Sequence, residues 1–140
     1  MTGPGFVLHP QLAADTVEAA IWDLSLVLMM RERTWPWLVL VPRRAGLREI
    51  HELGAADRAV LIEEIARAGD AMQRAFAADK INVGAIGNLV PQLHIHIVAR
   101  HVGDPAWPKP VWGALPADPA DEEELTARLA MIRAALGRQP

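Results

Sequence analysis

Apolar positions along the chain fall into short segments whose spacing separates strands from helices. From Ile21 to Arg31 the run IWDLSLVLMMR is rich in Leu and Val and predicts a strand from Leu24 onward. Thr34-Trp35-Pro36 interrupts it, because proline disfavours helical backbone in the residue before it. Trp37 to Val41 follows as a second buried strand that stops at Pro42. So short a gap between two strands predicts an antiparallel hairpin. Arg43-Arg44-Ala45-Gly46 reads as a basic loop, and Leu47 to Leu53 as a short helical turn. Gly54, three residues before Asp57, marks the start of a long helix that runs to about Ala78. Leu61, Ile65, Ala68, Met72 and Ala75 give it an apolar face, with Glu63, Glu64, Arg67 and Arg74 elsewhere around the wheel. Ile81 to Ile86 is a short apolar segment closed by Gly87-Asn88, and Leu93 to Ala99 alternates strictly over its first five residues. Gly103 to Pro119 is rich in Pro and Trp and reads as irregular. Asp118 to Leu136 predicts a last helix, with Asp121 to Glu124 at the end where the macrodipole favours acids. Met1 to Asp15 reads as a loosely ordered lead-in. The order β-β-α-β-β-coil-α predicts an α+β fold with an antiparallel sheet. One domain is expected over residues 1–140, with a core at about 20–113 and the C-terminal helix at about 118–136.

Composition narrows what such a domain does. Hydrophobic residues make up 51% of the 140, enough to bury a core. Lys plus Arg total 14 against 17 Asp plus Glu, and the net charge of -3 argues against a nucleic-acid polymer as partner. There is no Cys, which excludes disulfides, thiol chemistry and thiolate metal sites. No apolar run reaches the ~18 residues a membrane span needs. The first basic residue is Arg31, so the N-terminus lacks the basic start of a secretory signal. A soluble, cytoplasmic domain with no membrane partner is the expectation.

The candidate chemistry lies in the alternating strand. Residues at i, i+2 and i+4 of a strand share a face, so Gln92, His94 and His96 project together, opposite Leu93, Ile95 and Ile97. Three such polar groups are costly to bury unpaired, and their face should meet water, a ligand or a partner. Two imidazoles ~7 Å apart along a strand can contact one small ligand. A solvated face without function is the plainest reading. A His-x-His metal site would need a third ligand from His9, His51, His101 or a carboxylate. A non-catalytic nucleotide-binding module would use His and Gln as donors. A nucleophilic imidazole is the fourth reading, level with metal on spacing alone.

The segment GNLVPQLHIHIVAR resembles the signature of the histidine-triad (HIT) family, a Gly-Gln-x-Val lead-in followed by His-φ-His-φ-His with φ apolar. WLVLVPRR is similar to the family's second hairpin strand, and the long helix and INVGAI follow in the family's order. The resemblance covers about Leu24 to Trp112. It implies a HIT-like fold whose sheet extends across a homodimer, and nucleotide hydrolase or nucleotidyl transferase activity without a cofactor. Substrates would be nucleoside phosphoramidates or dinucleoside polyphosphates. By the resemblance His94 is the nucleophile that attacks the α-phosphorus, and His96, as an imidazolium, contacts the phosphate and aids the leaving group. Gln92 stands where the family has its first histidine, which orients the nucleophile. Asn88, beside Gly87, stands where the lead-in glutamine would bond a phosphate. The family often places an Asp at the end of the first hairpin strand to hold the ribose, where this chain reads Met30-Arg31-Glu32. Arg100 matches a common Arg, for which bonding to a neighbouring loop and contact with phosphate are equal readings, and Arg43 with Arg44 could steer phosphate by guanidinium pairing or lie in a solvated loop. Trp107-Pro108 is similar to a Trp-Pro of the family's C-terminal segment, which makes Trp107 or Trp112 a candidate lining for the base pocket. Trp35 and Trp37 are expected in the core or an interface.

Overall fold

A computed structural model describes residues 5–137; Met1 to Pro4 of the expected lead-in, and residues 138–140, lie outside the described residues. The remainder of that lead-in is ordered structure. His9 caps a helix α1 (Pro10–Asp15), whose Pro at the first position has no N–H that would need a partner, and the chain passes directly into a strand β1 (Thr16–Ile21). β1 pairs antiparallel with β2 (Ser25–Met30), and β2 with β3 (Trp37–Pro42), so the predicted hairpin is present with one more strand on its edge. A 3₁₀ turn at Ile50–Glu52 occupies the predicted short helical turn. Then come α2 (Ala55–Phe76), β4 (Lys80–Gly84), β5 (Ile95–Arg100) and α3 (Glu122–Leu136). The five strands form one antiparallel sheet in the order β1-β2-β3-β5-β4.

Both faces of the sheet are covered. On one face α2 and α3 pack over Leu24, Val27, Met29, Leu38, Leu40, Ile95 and Ile97, the main core. Glu64, expected on the polar side of α2, points into that core instead, where its Oε2 accepts the main-chain N–H of Leu24 at 3.0 Å. On the other face Phe6 and Leu12 of the N-terminal segment, with Ala106 and Val111 of the Pro- and Trp-rich segment, bury Leu26, Leu28, Val39, Val41 and Val98. Burial of this much apolar surface at ~25 cal/mol per Å² is the main stabilising term. The second layer has one direct consequence. The histidine face of β5 is largely covered, and every residue from Ile95 to Arg100 is buried.

α3 is fastened to the hairpin by polar contacts. Asp121 and Glu124 form a reciprocal capping box at its start. Arg128 donates to the carbonyls of Glu32, Arg33 and Trp35, and Glu32 accepts the N–H groups of Thr34 and Asp118 at 2.9 and 3.0 Å. No helix among the described residues is long and apolar enough to cross a membrane.

Candidate active site

Two histidines at the start of β5 sit edge to face, their ring centroids 4.8 Å apart and their planes at 71°. Each has one nitrogen committed, to a partner of opposite kind. Nδ1 of His94 lies 2.6 Å from the main-chain oxygen of Gln92. A carbonyl only accepts, so Nδ1 carries the hydrogen, and in the neutral ring the lone pair lies on Nε2. Nδ1 of His96 accepts the indole N–H of Trp37 at 2.9 Å. An indole only donates, so the His96 hydrogen is on Nε2. The pair therefore offers one unprotonated nitrogen and one N–H donor from adjacent rings.

Protonation agrees with these partners. Burial, and secondarily the neighbouring His94, push His96 down from 6.5 to about 4. At neutral pH it is an uncharged donor. The expectation of an imidazolium at this position is corrected, because His96 is only 9% exposed and its Nδ1 is already filled by Trp37.

Both rings line a cleft of about 580 Å³. One side is the loop from Ile86 to Val90, turned at Gly87, whose φ of 67° lies in the left-handed region that a side chain disfavours. Another is Trp112, whose ring stands 5.7 Å from His96 and 6.3 Å from Trp37. Trp112 comes this close to the sheet because residue 84 is glycine: a Cβ there would meet its Cη2 at 3.0 Å. Leu12 and Asp15 of α1, with Met30 and Glu32 at the end of β2, complete the enclosure. Among the described residues no Lys or Arg lines the cleft.

The structure thus brings together His94, His96, Gly87 and Asn88 of the residues expected at the site, with Asn88 exposed on the rim. Gln92 is present through its main chain. Its side chain turns to the N-terminal segment, where Oε1 accepts from His9 N and Nε2 donates to Val7 O. Three expected contacts are corrected. Arg43 is buried against the β1–β2 turn, donating to the carbonyls of Trp22, Asp23 and Leu24, and does not reach the cleft. Arg100 is 1% exposed, held by both oxygens of Asp104 at 2.7 and 3.0 Å and by Asn82. Trp107 lies against Arg100, with the guanidinium 5.4 Å from its ring centroid, and Trp112 lines the cleft in its place. His51 is exposed, and His101 bonds the Phe76 carbonyl. The described residues gather no group of three or more metal-ligating side chains around the two histidines. The sequence reading missed Leu12, Asp15 and the donor role of Trp37. Its one signal for Trp37 was that a buried indole N–H needs a partner.

Comparison with known proteins sets this geometry in context. The model of the HIT domain family matches residues 18–103. A histidine triad (HIT) protein from Sinorhizobium meliloti 1021 has a similar structure, with TM-score 0.90 and 42% identity over 93% of this chain and 96% of that one. A histidine triad protein from Bradyrhizobium japonicum gives TM-score 0.91 and 41% identity over 95% and 99%. A third, from Marinobacter aquaeolei VT8, gives TM-score 0.90 and 46% identity over 94% and 96%. No curated protein matches the chain.

Proposed function

This chain belongs to the HIT domain family, and on that premise we propose that it hydrolyses nucleotides at the α-phosphate through a covalent nucleotidyl-His94. The observation that carries the reading is the 2.6 Å contact of His94 Nδ1 with the Gln92 carbonyl, which leaves Nε2 as a free nucleophile. In the first step Nε2 bonds to phosphorus and the bond from phosphorus to the leaving group breaks. The leaving nitrogen or oxygen takes its proton from solvent. The nucleotidyl imidazole is cationic, and the Gln92 oxygen, facing its Nδ1–H, stabilises that charge. His96 Nε2–H donates to a non-bridging phosphate oxygen. In the second step water attacks phosphorus, the P–Nε2 bond breaks back to neutral His94, and one proton leaves with the nucleoside monophosphate.

The lining of the cleft favours one of the two expected substrate classes. Among the described residues Asp15 and Glu32 line it and no Lys or Arg does, so they leave the charge of a polyphosphate chain unmatched. A single α-phosphate bearing a neutral or cationic amine suits the cleft better. Nucleoside phosphoramidates are therefore the proposed substrates ahead of dinucleoside polyphosphates. We read the protein as a homodimer, since β4 is an edge of the sheet with Val83 exposed on it.

A panel of adenosine and guanosine phosphoramidates and dinucleoside polyphosphates, with His94→Ala as control, tests this. Turnover lost to background in His94→Ala, with phosphoramidates the faster substrates, is the expected result. An undiminished rate in His94→Ala would overturn it. Tight nucleotide binding without turnover would mark a binding protein instead.

A further inference from the structure

Gln92 spends its whole carboxamide on a segment more than 80 residues away. Oε1 accepts the His9 N–H at 2.8 Å and Nε2 donates to the Val7 carbonyl at 2.9 Å. The same main chain enters α1, which is only six residues long, too short to hold its own shape. α1 is secured at its ends. At the start, Nδ1 of His9 accepts the Gln11 N–H at 3.0 Å. At the finish, the Thr16 hydroxyl donates to the Leu12 carbonyl at 2.7 Å and the Asp15 carbonyl accepts the Arg31 N–H at 2.9 Å. Leu12 and Asp15, carried by α1, are part of the cleft that holds both histidines. Phe6, just before the clamped segment, is buried in the layer over the histidine face.

We propose that Gln92 is a positioning residue for this wall of the cleft: its amide staples residues 7–9 beside the histidine strand, which sets Leu12 and Asp15 against the bound nucleotide. The nucleophile does not depend on that amide, because the Gln92 main-chain oxygen already holds His94, and any residue at position 92 supplies that oxygen. A histidine at 92 would not restore a missing orienter. The two nitrogens of an imidazole diverge, whereas an amide presents donor and acceptor side by side to Val7 and His9. The substrate side of the proposal rests on the function proposed above; the staple itself does not.

The test separates the two. In Gln92→Ala, amide hydrogen exchange at Gln11, Leu12 and Ala13 should quicken at least about tenfold, while β3 and β5 stay protected. KM for a phosphoramidate, and the Kd of adenosine monophosphate, should each rise about tenfold, with kcat changed less than about threefold. Gln92→Glu keeps the acceptor for His9 but sets a carboxylate oxygen against the Val7 carbonyl, so exchange at residues 11–13 should quicken there too. Gln92→His should give no gain in kcat. Exchange that stays slow at residues 11–13 in both Gln92→Ala and Gln92→Glu would overturn the staple. Fast exchange there with unchanged nucleotide affinity would overturn its action on the cleft. A kcat that falls at constant KM would return Gln92 to the nucleophile. Failure of the unsubstituted protein to bind adenosine monophosphate would overturn the proposed function and the substrate half of this proposal, leaving the exchange result to judge the staple.

Discussion

Trp37 does for His96 what a carbonyl does for His94: it decides which ring nitrogen is free. The indole N–H at 2.9 Å holds Nδ1 as an acceptor, and so keeps the hydrogen on Nε2 where a phosphate oxygen can use it. Trp37→Phe keeps most of the ring packing and removes that donor. The His96 tautomers then mix, and kcat should fall about tenfold as the aimed donor is lost part of the time. Nitrogen-15 spectra of the histidine rings would show the shift, and an unchanged tautomer with unchanged kcat would refute the assignment. Arg100 shows the reverse lesson. A basic residue at the end of the histidine strand could be a phosphate ligand or a loop anchor, and it is the anchor: Asp104 and Asn82 share the guanidinium, and the ion pair is buried. Type and position in sequence left both readings open, because the carboxylate that decides the matter lies in an irregular segment whose path no periodicity reveals.

At the scale of elements, α2 ends on Ala77 with φ 48° and ψ 45°, the left-handed conformation where glycine is the usual residue. Ala77→Gly relieves the Cβ clash and gives back part of the gain as unfolded-chain entropy, for a net stabilisation of about 0.5–1 kcal/mol. Thermal denaturation should show a higher Tm; a lower one would mean the turn carries no strain. The elements with strong periodicity were legible: the β2–β3 hairpin, α2, β5 and α3 all fall near their expected bounds. β1 was not, and the reason is physical. Its pairing with β2 shifts register between Glu18 and Ala20, so its buried residues are Thr16 and Ala19, three apart instead of two. α1 is too short for a helical period to show. Of the site, the two histidines and the Gly87 turn could be read from the strand and its lead-in. Of the walls, Trp112 could be named only through the family resemblance, and Leu12 and Asp15 not at all, because α1 has no pattern of its own.

Over the whole molecule, the covering of both sheet faces makes stability depend on acid. His96 is held near 4 in the folded protein, while an unfolded chain takes up the proton at the ordinary 6.5. The unfolded state therefore binds more protons between these values. Stability is full above about pH 6.5 and is lost as pH falls toward 4, by on the order of 3 kcal/mol. Arg100 foremost holds the Asp104 carboxyl well below its usual range, which adds a further loss below pH 4. Urea midpoints at pH 7 and pH 4.5 should differ accordingly, and His96→Gln should flatten the difference; equal midpoints for the unsubstituted protein would contradict the burial of His96. One feature reaches beyond this chain. Both histidines lie within the matched span 18–103, whereas Leu12, Asp15, Trp112 and Leu115 lie outside it, on the two tails that fold back over the sheet. The cleft is thus assembled from both: the span brings the two imidazoles and Glu32, the tails close over them, and exchanging a tail would reshape the walls without moving either ring.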